Sequence, residues 1–299
     1  MNIPPRVLIL GGAGQLGLEL QRSFAGPHPM VAADRAVADL AAPDQLRAIV
    51  RRVQPNVILN AAAYTAVDRA ETEPALATSI NARAPRLLAE EARALDALLV
   101  HYSTDYVFDG AKRGPWIEDD APRPLNTYGA SKLAGEEAVQ QSGCKHLIFR
   151  TSWVYGPHGK NFLLTMLRLG RERDRLMVVD DQIGAPTSSL ELARATKAIV
   201  DGALEGRYGA PESWSGLYHM ACAGSVSWCG FAQAIFERAE QLWGERRPEV
   251  IPIPASEYPT PAKRPQNSVL SNVKLHERFA VGLAPWDLAL DAVMARLHA

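Results

Sequence analysis

The first 150 residues alternate short apolar runs with longer amphipathic stretches. Arg6–Leu10 (RVLIL), Met30–Ala33, Val57–Asn60 (VILN), Leu98–Ser103 and His146–Thr151 are runs dominated by apolar residues. Continuous apolar runs of this length suit strands buried on both faces of a parallel sheet. Between them, Gln15–Phe24, Pro43–Val53, Ala75–Ala94 and Thr127–Ser142 read as helices. In the second of these, Leu46, Ile49, Val50 and Val53 fall on one face. Strand–helix alternation of this kind predicts an α/β chain with a doubly wound parallel sheet of the Rossmann type.

After Thr151 the rhythm loosens. Phe162–Arg171, Ser188–Gly202, Val226–Trp243 and Trp286–Leu297 read as helices, the third with Phe231, Ile235, Ala239 and Leu242 at amphipathic spacing. Glu205–Gly216 reads as a polar connection, and Ile251–Pro265 as a proline-rich loop with a short strand. No repeat or low-complexity segment interrupts the chain. The pattern therefore predicts one main domain over residues 1–151 and a smaller lobe over 152–299, with some of the later segments returning to the first domain.

Composition removes several function classes. The 299 residues carry 32 Lys+Arg against 33 Asp+Glu, a net charge of −1, which gives no broad attraction to nucleic acid or anionic lipid. No apolar run approaches the roughly 20 residues that span a bilayer. Met1–Leu10 is too short before its glycines to hold a secretory leader. Cys144, Cys222 and Cys229 form no C-x-x-C pair, and no histidine cluster has zinc-ligand spacing. Free thiols in the cytoplasm, and no bound metal, are the expectation.

Four local patterns carry chemistry. Gly11-Gly12-Ala13-Gly14-Gln15-Leu16-Gly17 follows the first strand and opens the first helix. Glycines at that spacing let the backbone approach a pyrophosphate, and the helix N-terminus supplies partial positive charge. A dinucleotide cofactor is expected there. Asp34 ends the second strand where an acid meets the adenosine ribose, whereas neighbouring Arg35 suits a 2′-phosphate. The pair leaves NADH and NADPH both open. The third strand ends in Asn60-Ala61-Ala62-Ala63-Tyr64, small residues that leave room for a cofactor.

The fourth pattern is Tyr128-Gly129-Ala130-Ser131-Lys132. Residues four apart share a helix face, and an ammonium beside a phenol favours the phenolate. Such a tyrosine exchanges a proton more readily near neutral pH. Of the eight tyrosines only this one has a lysine four positions later. Upstream, Ser103-Thr104-Asp105-Tyr106 ends the fourth strand, and Thr104 is placed to bond a carbonyl oxygen that Tyr128 protonates.

Taken together these residues resemble the extended short-chain dehydrogenase/reductases. STDYVFDG (Ser103–Gly110), NTYGASKLAGE (Asn126–Glu136), RTSWVYGPHGKNF (Arg150–Phe162), DDQIGAPTSS (Asp180–Ser189), YHMACAGSVSW (Tyr218–Trp228) and RPQNSVLSNVKL (Arg264–Leu275) narrow the resemblance to the dTDP-4-dehydrorhamnose reductases. The likeness runs through nearly the whole chain. It implies reduction of the C4 ketone of dTDP-4-dehydro-L-rhamnose with NADPH or NADH, the closing step of dTDP-L-rhamnose synthesis.

By that resemblance Tyr128 is the proton donor, Lys132 tunes it and bonds the nicotinamide ribose, and Thr104 holds the ketone oxygen. Asp105 and Trp153 match positions that contact the sugar nucleotide. Gly11, Gly12, Asp39, Leu40, Ala62, Ala63 and Tyr64 match cofactor-contacting positions, while Asn161 and Arg264 are expected to meet the diphosphate. One position departs from the family. Some members hold Mg²⁺ at a dimer interface through glutamates, one of them at the place of Gln15 here. An amide is a weaker ligand for a hard cation, and Asp291 on the last helix stands alone, so no metal is expected and a homodimer is left open.

Two other classes compete. A nucleotide-sugar epimerase uses the same Tyr and Lys. A dehydratase would place further acids beside Thr104, where Tyr106 follows Asp105 instead. A non-catalytic regulatory subunit, like that of methionine adenosyltransferase, would not need Thr104, Tyr128 and Lys132 together.

Overall fold

The computed structural model describes residues 4–26 and 28–298. Met1–Ile3, part of the stretch read for a leader, lie outside them. Five strands come from the first half: β1 (Val7–Leu10), β2 (Met30–Ala33), β3 (Val57–Asn60), β4 (Leu98–Thr104) and β5 (His146–Thr151). They pair in parallel in the order β5-β4-β3-β1-β2. A sixth strand, Gly216–His219, arrives from the second half and extends the sheet beyond β5, also in parallel. The expected polar connection thus ends in a sheet strand, because Leu217 and Tyr218 bring apolar side chains to a free edge.

β1, β3, β4 and β5 are buried along their full length. One face is covered by helices Gln15–Phe24 and Ser189–Leu204, whose Leu16, Leu20, Phe24, Leu192 and Ile199 pack with Val7, Ile9 and Val100. On the other, Leu46, Ile49, Val50, Leu87 and Leu88 cover Leu8, Leu10, Ile58 and Leu99. Fully burying one such aliphatic side chain is worth about 1.5–3 kcal/mol, so these two layers set the rigidity of the sheet ends. Strand order reverses at β1, which opens a crevice beyond the carboxyl ends of β1 and β3.

The long helix expected over Ala75–Ala94 is interrupted. Pro74–Thr78 and Ala84–Ala94 are α-helical, but Ser79–Arg83 between them is a π turn. An inserted residue of this kind re-aims side chains and is common at functional sites. Here it buries Asn81, whose amide clamps the backbone of Tyr64 from both sides, accepting from its N–H (2.9 Å) and donating to its carbonyl (3.0 Å).

The smaller lobe holds helices Phe162–Glu172, Trp228–Trp243 and Trp286–His298 around Leu163, Phe231, Ile235 and Leu290. The third expected helix starts two residues late. Val226–Ser227 pairs with Ile183–Gly184 instead, and the Ser227 hydroxyl caps the helix by accepting from the Gly230 amide (2.9 Å). Arg175–Val179, a strand not evident in the sequence, pairs in parallel with Glu249–Ile253. No helix among the described residues is long and apolar enough to cross a membrane.

A buried ion pair lies just behind the sheet end. Arg150 of β5 donates to both Glu136 carboxylate oxygens (Nε–Oε1 2.9 Å, Nη2–Oε2 2.6 Å), and Ser103 donates to the same carboxylate. Both charged residues are almost fully buried. Breaking such a pair from one side strands the other charge and costs about 3–5 kcal/mol. Arg150→Met is therefore expected to lower the urea midpoint sharply; an unchanged midpoint would show that the pair is dispensable.

Candidate active site

A cleft of about 880 Å³ runs across the carboxyl ends of the parallel strands, from the glycine turn to the mouth of the smaller lobe. The glycine turn forms its floor. Gly11 has φ +77°, and a Cβ there would stand 2.9 Å from the Ala62 amide nitrogen. At Gly17 a Cβ would fall 2.1 Å from the Gly11 carbonyl oxygen. Only glycine allows this backbone to fold so tightly onto the helix. The helix Gln15–Phe24 starts at Gly14 without a capping side chain, so the amides of its first turn remain available to an anion.

Gly11, Gly14, Gln15 and Leu16 line the cleft, as do Ala62, Ala63 and Tyr64. Gly12 and Gly17 do not. They were expected as cofactor contacts, and their place is structural: Gly12 packs against Ala32, and Gly17 lets the first helix reach the turn.

Asp34, Arg35, Asp39 and Leu40 line the far end. Asp34 Oδ1 accepts from the amides of Ala36 (3.0 Å) and Val37 (3.3 Å), fixing the turn. Arg35 reaches Asp39 (3.2 Å) with its guanidinium largely exposed. The Ala41 amide holds the Asp39 carboxyl below its usual range, and Arg35 adds to the effect against a smaller opposing cost of burial.

Thr104, Tyr128 and Lys132 meet at the centre. Thr104 ends β4, and its hydroxyl donates to Asp105 Oδ1 (3.0 Å) while accepting from the Tyr106 amide (3.2 Å). Tyr128 and Lys132 stand on the helix Thr127–Gln141, whose N-cap is the Asn126 side chain accepting from Gly129 (2.8 Å). Gly129 and Gly135 keep that helix close: a Cβ at either would lie about 2.2 or 2.1 Å from the carbonyls of Tyr106 and Asn81. Tyr106 meets the Tyr128 ring edge-on at 5.5 Å.

The electrostatics differ from the expectation. Burial pushes the Tyr128 phenol up to about 12, and only the Thr104 hydroxyl pulls it back. The Lys132 ammonium donates to the Tyr102 carbonyl (2.6 Å) and faces His101 Nε2 at 3.4 Å. Burial lowers Lys132 to about 8, opposed by the charge of Glu136 one turn on.

Asp105 is also buried, which raises its carboxyl to about 6 despite hydrogen bonds from Ser268, Thr104 and nearby amides. Asp105 lines the cleft, and its Oδ2 is buried without a hydrogen-bond partner.

Trp153 lines the mouth, with φ +48°, uncommon for a bulky residue. It stacks on Trp228 at 3.5 Å between ring centroids, and Gly184 leaves room for its indole. Two expected diphosphate contacts are elsewhere. Asn161 caps the helix Phe162–Glu172, accepting from Leu164 (3.0 Å), and its amide bonds Gln15 and the Gly156 carbonyl. Arg264 forks onto Asp68 (2.9 and 3.2 Å). Neither is among the residues lining the cleft, although Gln15, which Asn161 bonds, is. Asp291 is paired with Arg238 (2.5 Å). Sequence reasoning assigned no role to Tyr106, Thr151, Lys160 or Trp228, all of which line the cleft; each lies in a stretch that bears the resemblance, which was the one signal they carried.

A glycine turn with an uncapped helix, and buried Thr104 and Lys132 with half-buried Tyr128 at the centre of the same cleft, agree with what the chain resembles. The family model described as the RmlD substrate binding domain matches residues 5–299. The chain belongs to the dTDP-4-dehydrorhamnose reductase family. It is 47% identical over 288 residues to the dTDP-4-dehydrorhamnose reductase of Burkholderia thailandensis, covering 95% of this chain and 96% of that one. Against the reductase of Escherichia coli K12 the identity is 42% over 296 residues, 97% of each chain. A solved dTDP-4-dehydrorhamnose reductase from Bacillus anthracis, in complex with NADP, superposes with a TM-score of 0.88 at 36% identity, covering 98% of this chain and 99% of that one. The UDP-glucose 4-epimerase of Thermus thermophilus, a complex with NAD, shares the fold at TM-score 0.73 and 22% identity.

Proposed function

We propose that the protein reduces the C4 ketone of dTDP-4-dehydro-L-rhamnose to dTDP-L-rhamnose with NADPH or NADH. The observation that carries this reading is that Thr104, Tyr128 and Lys132 line one cleft together with the glycine turn. The nicotinamide supplies the hydride. Negative charge then develops on the ketone oxygen, and Thr104 and Tyr128 are the two hydroxyl donors set around that position. With its phenol at about 12, Tyr128 is protonated at neutral pH and serves as the acid. Lys132 brings a positive charge to the same cleft, anchored at the Tyr102 carbonyl.

Asp105 and the stacked Trp153 and Trp228, all lining the cleft, support a sugar-binding role for the smaller lobe, residues 152–299, together with the β4 end. The amides at Gly14–Leu16 suit the cofactor pyrophosphate, and Arg35 suits a 2′-phosphate. We place the enzyme in the cytoplasm, where three buried free thiols would persist.

The test is purified protein with dTDP-4-dehydro-L-rhamnose and each reduced cofactor, following absorbance and identifying the product. Cofactor oxidation matched by dTDP-L-rhamnose supports the reading. Cofactor binding without turnover would move the assignment to another sugar or to a regulatory role. Arg35→Ala is expected to weaken NADPH binding about tenfold, the scale of one hydrogen bond to a charged group, and to leave NADH binding near its starting value. Equal losses for both would take Arg35 away from the 2′-phosphate.

A further inference from the structure

Behind Lys132 lies a line of buried polar groups that the reduction itself does not use. His101 is the central residue of β4 and is in register with Asn60 of β3. Its Nδ1 stands 3.1 Å from Asn60 Nδ2 and its Nε2 stands 3.4 Å from Lys132 Nζ. His101 and Asn60 are each 1% exposed and Lys132 2%. Asn60 Oδ1 is buried without a partner.

The donors and acceptors allow two arrangements. If Asn60 donates to Nδ1, the imidazole proton sits on Nε2 and points at Lys132, which is tolerable only for a neutral amine. If Lys132 is an ammonium, Nε2 must accept, Nδ1 carries the proton, and Asn60 must present its oxygen. Turning the amide by half a revolution does this and gives Oδ1 the partner it lacks. Amide orientation and histidine tautomer are set by such networks.

We propose that His101 is a positioning residue for Lys132: held as the neutral Nδ1–H tautomer by Asn60 Oδ1, it accepts from the Lys132 ammonium and keeps that charge at the cleft that Tyr128 also lines. Burial, with Lys132 nearby, lowers His101 well below its ordinary value, so the ring stays neutral and never competes for the charge. The other groups facing Lys132 are the Tyr102 carbonyl on β4, and Glu136 on its own helix, whose carboxylate is already engaged by Arg150 of β5. His101 is thus the neutral side-chain acceptor available to it from the sheet. This inference rests on the reductase reading for its effect on turnover, but not for the tautomer.

Two measurements test it. In ¹⁵N-histidine-labelled wild type, the resonances lost in His101→Gln identify His101, and the long-range couplings read its tautomer. The Nδ1–H form at pH 7 is expected; an Nε2–H form or an imidazolium overturns the proposal. In His101→Phe, the basic limb of kcat against pH is expected to move about one unit to lower pH, because the ammonium loses its acceptor. kcat at pH 8.5 is expected to fall about tenfold, by the loss of a hydrogen bond to a charged group. His101→Gln, which restores an acceptor oxygen, is expected to recover most of both. An unmoved limb in a folded His101→Phe overturns the proposal. If His101→Phe does not fold, the tautomer decides. If the wild type shows no turnover, the reductase reading fails, and the tautomer with the pH dependence of NADPH binding still decides for or against His101.

Discussion

Tyr128→Phe is expected to lower kcat by about 10²–10⁴-fold, the range of a well-placed general acid, while NADPH binding changes little. The substitution removes one oxygen and leaves the ring against Tyr106, so the packing at 5.5 Å is retained. What disappears is the proton donor and one of two hydrogen bonds to the developing charge. Thr104 remains as the one hydroxyl donor, and to reach the ketone oxygen its proton must leave Asp105 Oδ1. Stopped-flow reduction against fluorescence titration of the cofactor separates the two effects. Near-wild-type turnover would remove Tyr128 from the acid role.

Lys132→Met is expected to cost about as much, and to differ in two respects. Cofactor binding weakens, and the pH profile loses its basic limb. The ammonium is lost as pH rises through about 8, where burial has brought it. In the wild type kcat should therefore decline above that pH. Met fills the space, but leaves the Tyr102 carbonyl without its donor. A buried carbonyl left so costs about 1–3 kcal/mol of stability, to be checked by urea unfolding beside the kinetics. An unchanged profile and an unchanged Kd for NADPH would count against any electrostatic role.

The frame of the fold was legible because each buried strand of the first half is a run of apolar residues between punctuating glycines, prolines and acids. The boundaries of β2, β3 and β5 and of helices Gln15–Phe24 and Pro43–Val53 coincide with the reading. What escaped it is physical in each case. Arg175–Val179 alternates outward and inward, with Met177 exposed, and five residues of alternation say little alone. The π turn at Ser79–Arg83 adds less than a residue per turn to a helical period, which no apolar pattern betrays. Asn161 and Arg264 had the right donors for a diphosphate, but Arg264 finds Asp68, 196 positions away, while Asn161 is taken up locally as a helix cap on Leu164 and by the Gly156 carbonyl. The Tyr128–Lys132 spacing did place both residues in one cleft. It could not reveal that the ammonium turns toward β4, because the Tyr102 carbonyl and His101 are set by a strand, not by the helix.

The sixth strand has a consequence for how the molecule is made. Five strands leave the ribosome with the first 151 residues, yet β5 pairs on its outer side only with Gly216–His219. The helix that covers Leu16, Leu20 and Phe24 is likewise drawn from residues 189–204. Until some 219 residues have been synthesised, the nascent half carries an open edge and an uncovered apolar layer, the conditions under which partly made chains associate. A polypeptide cut after Thr151 would inherit both faults permanently. The two regions are therefore one unit of folding, and residues of both line the one cleft.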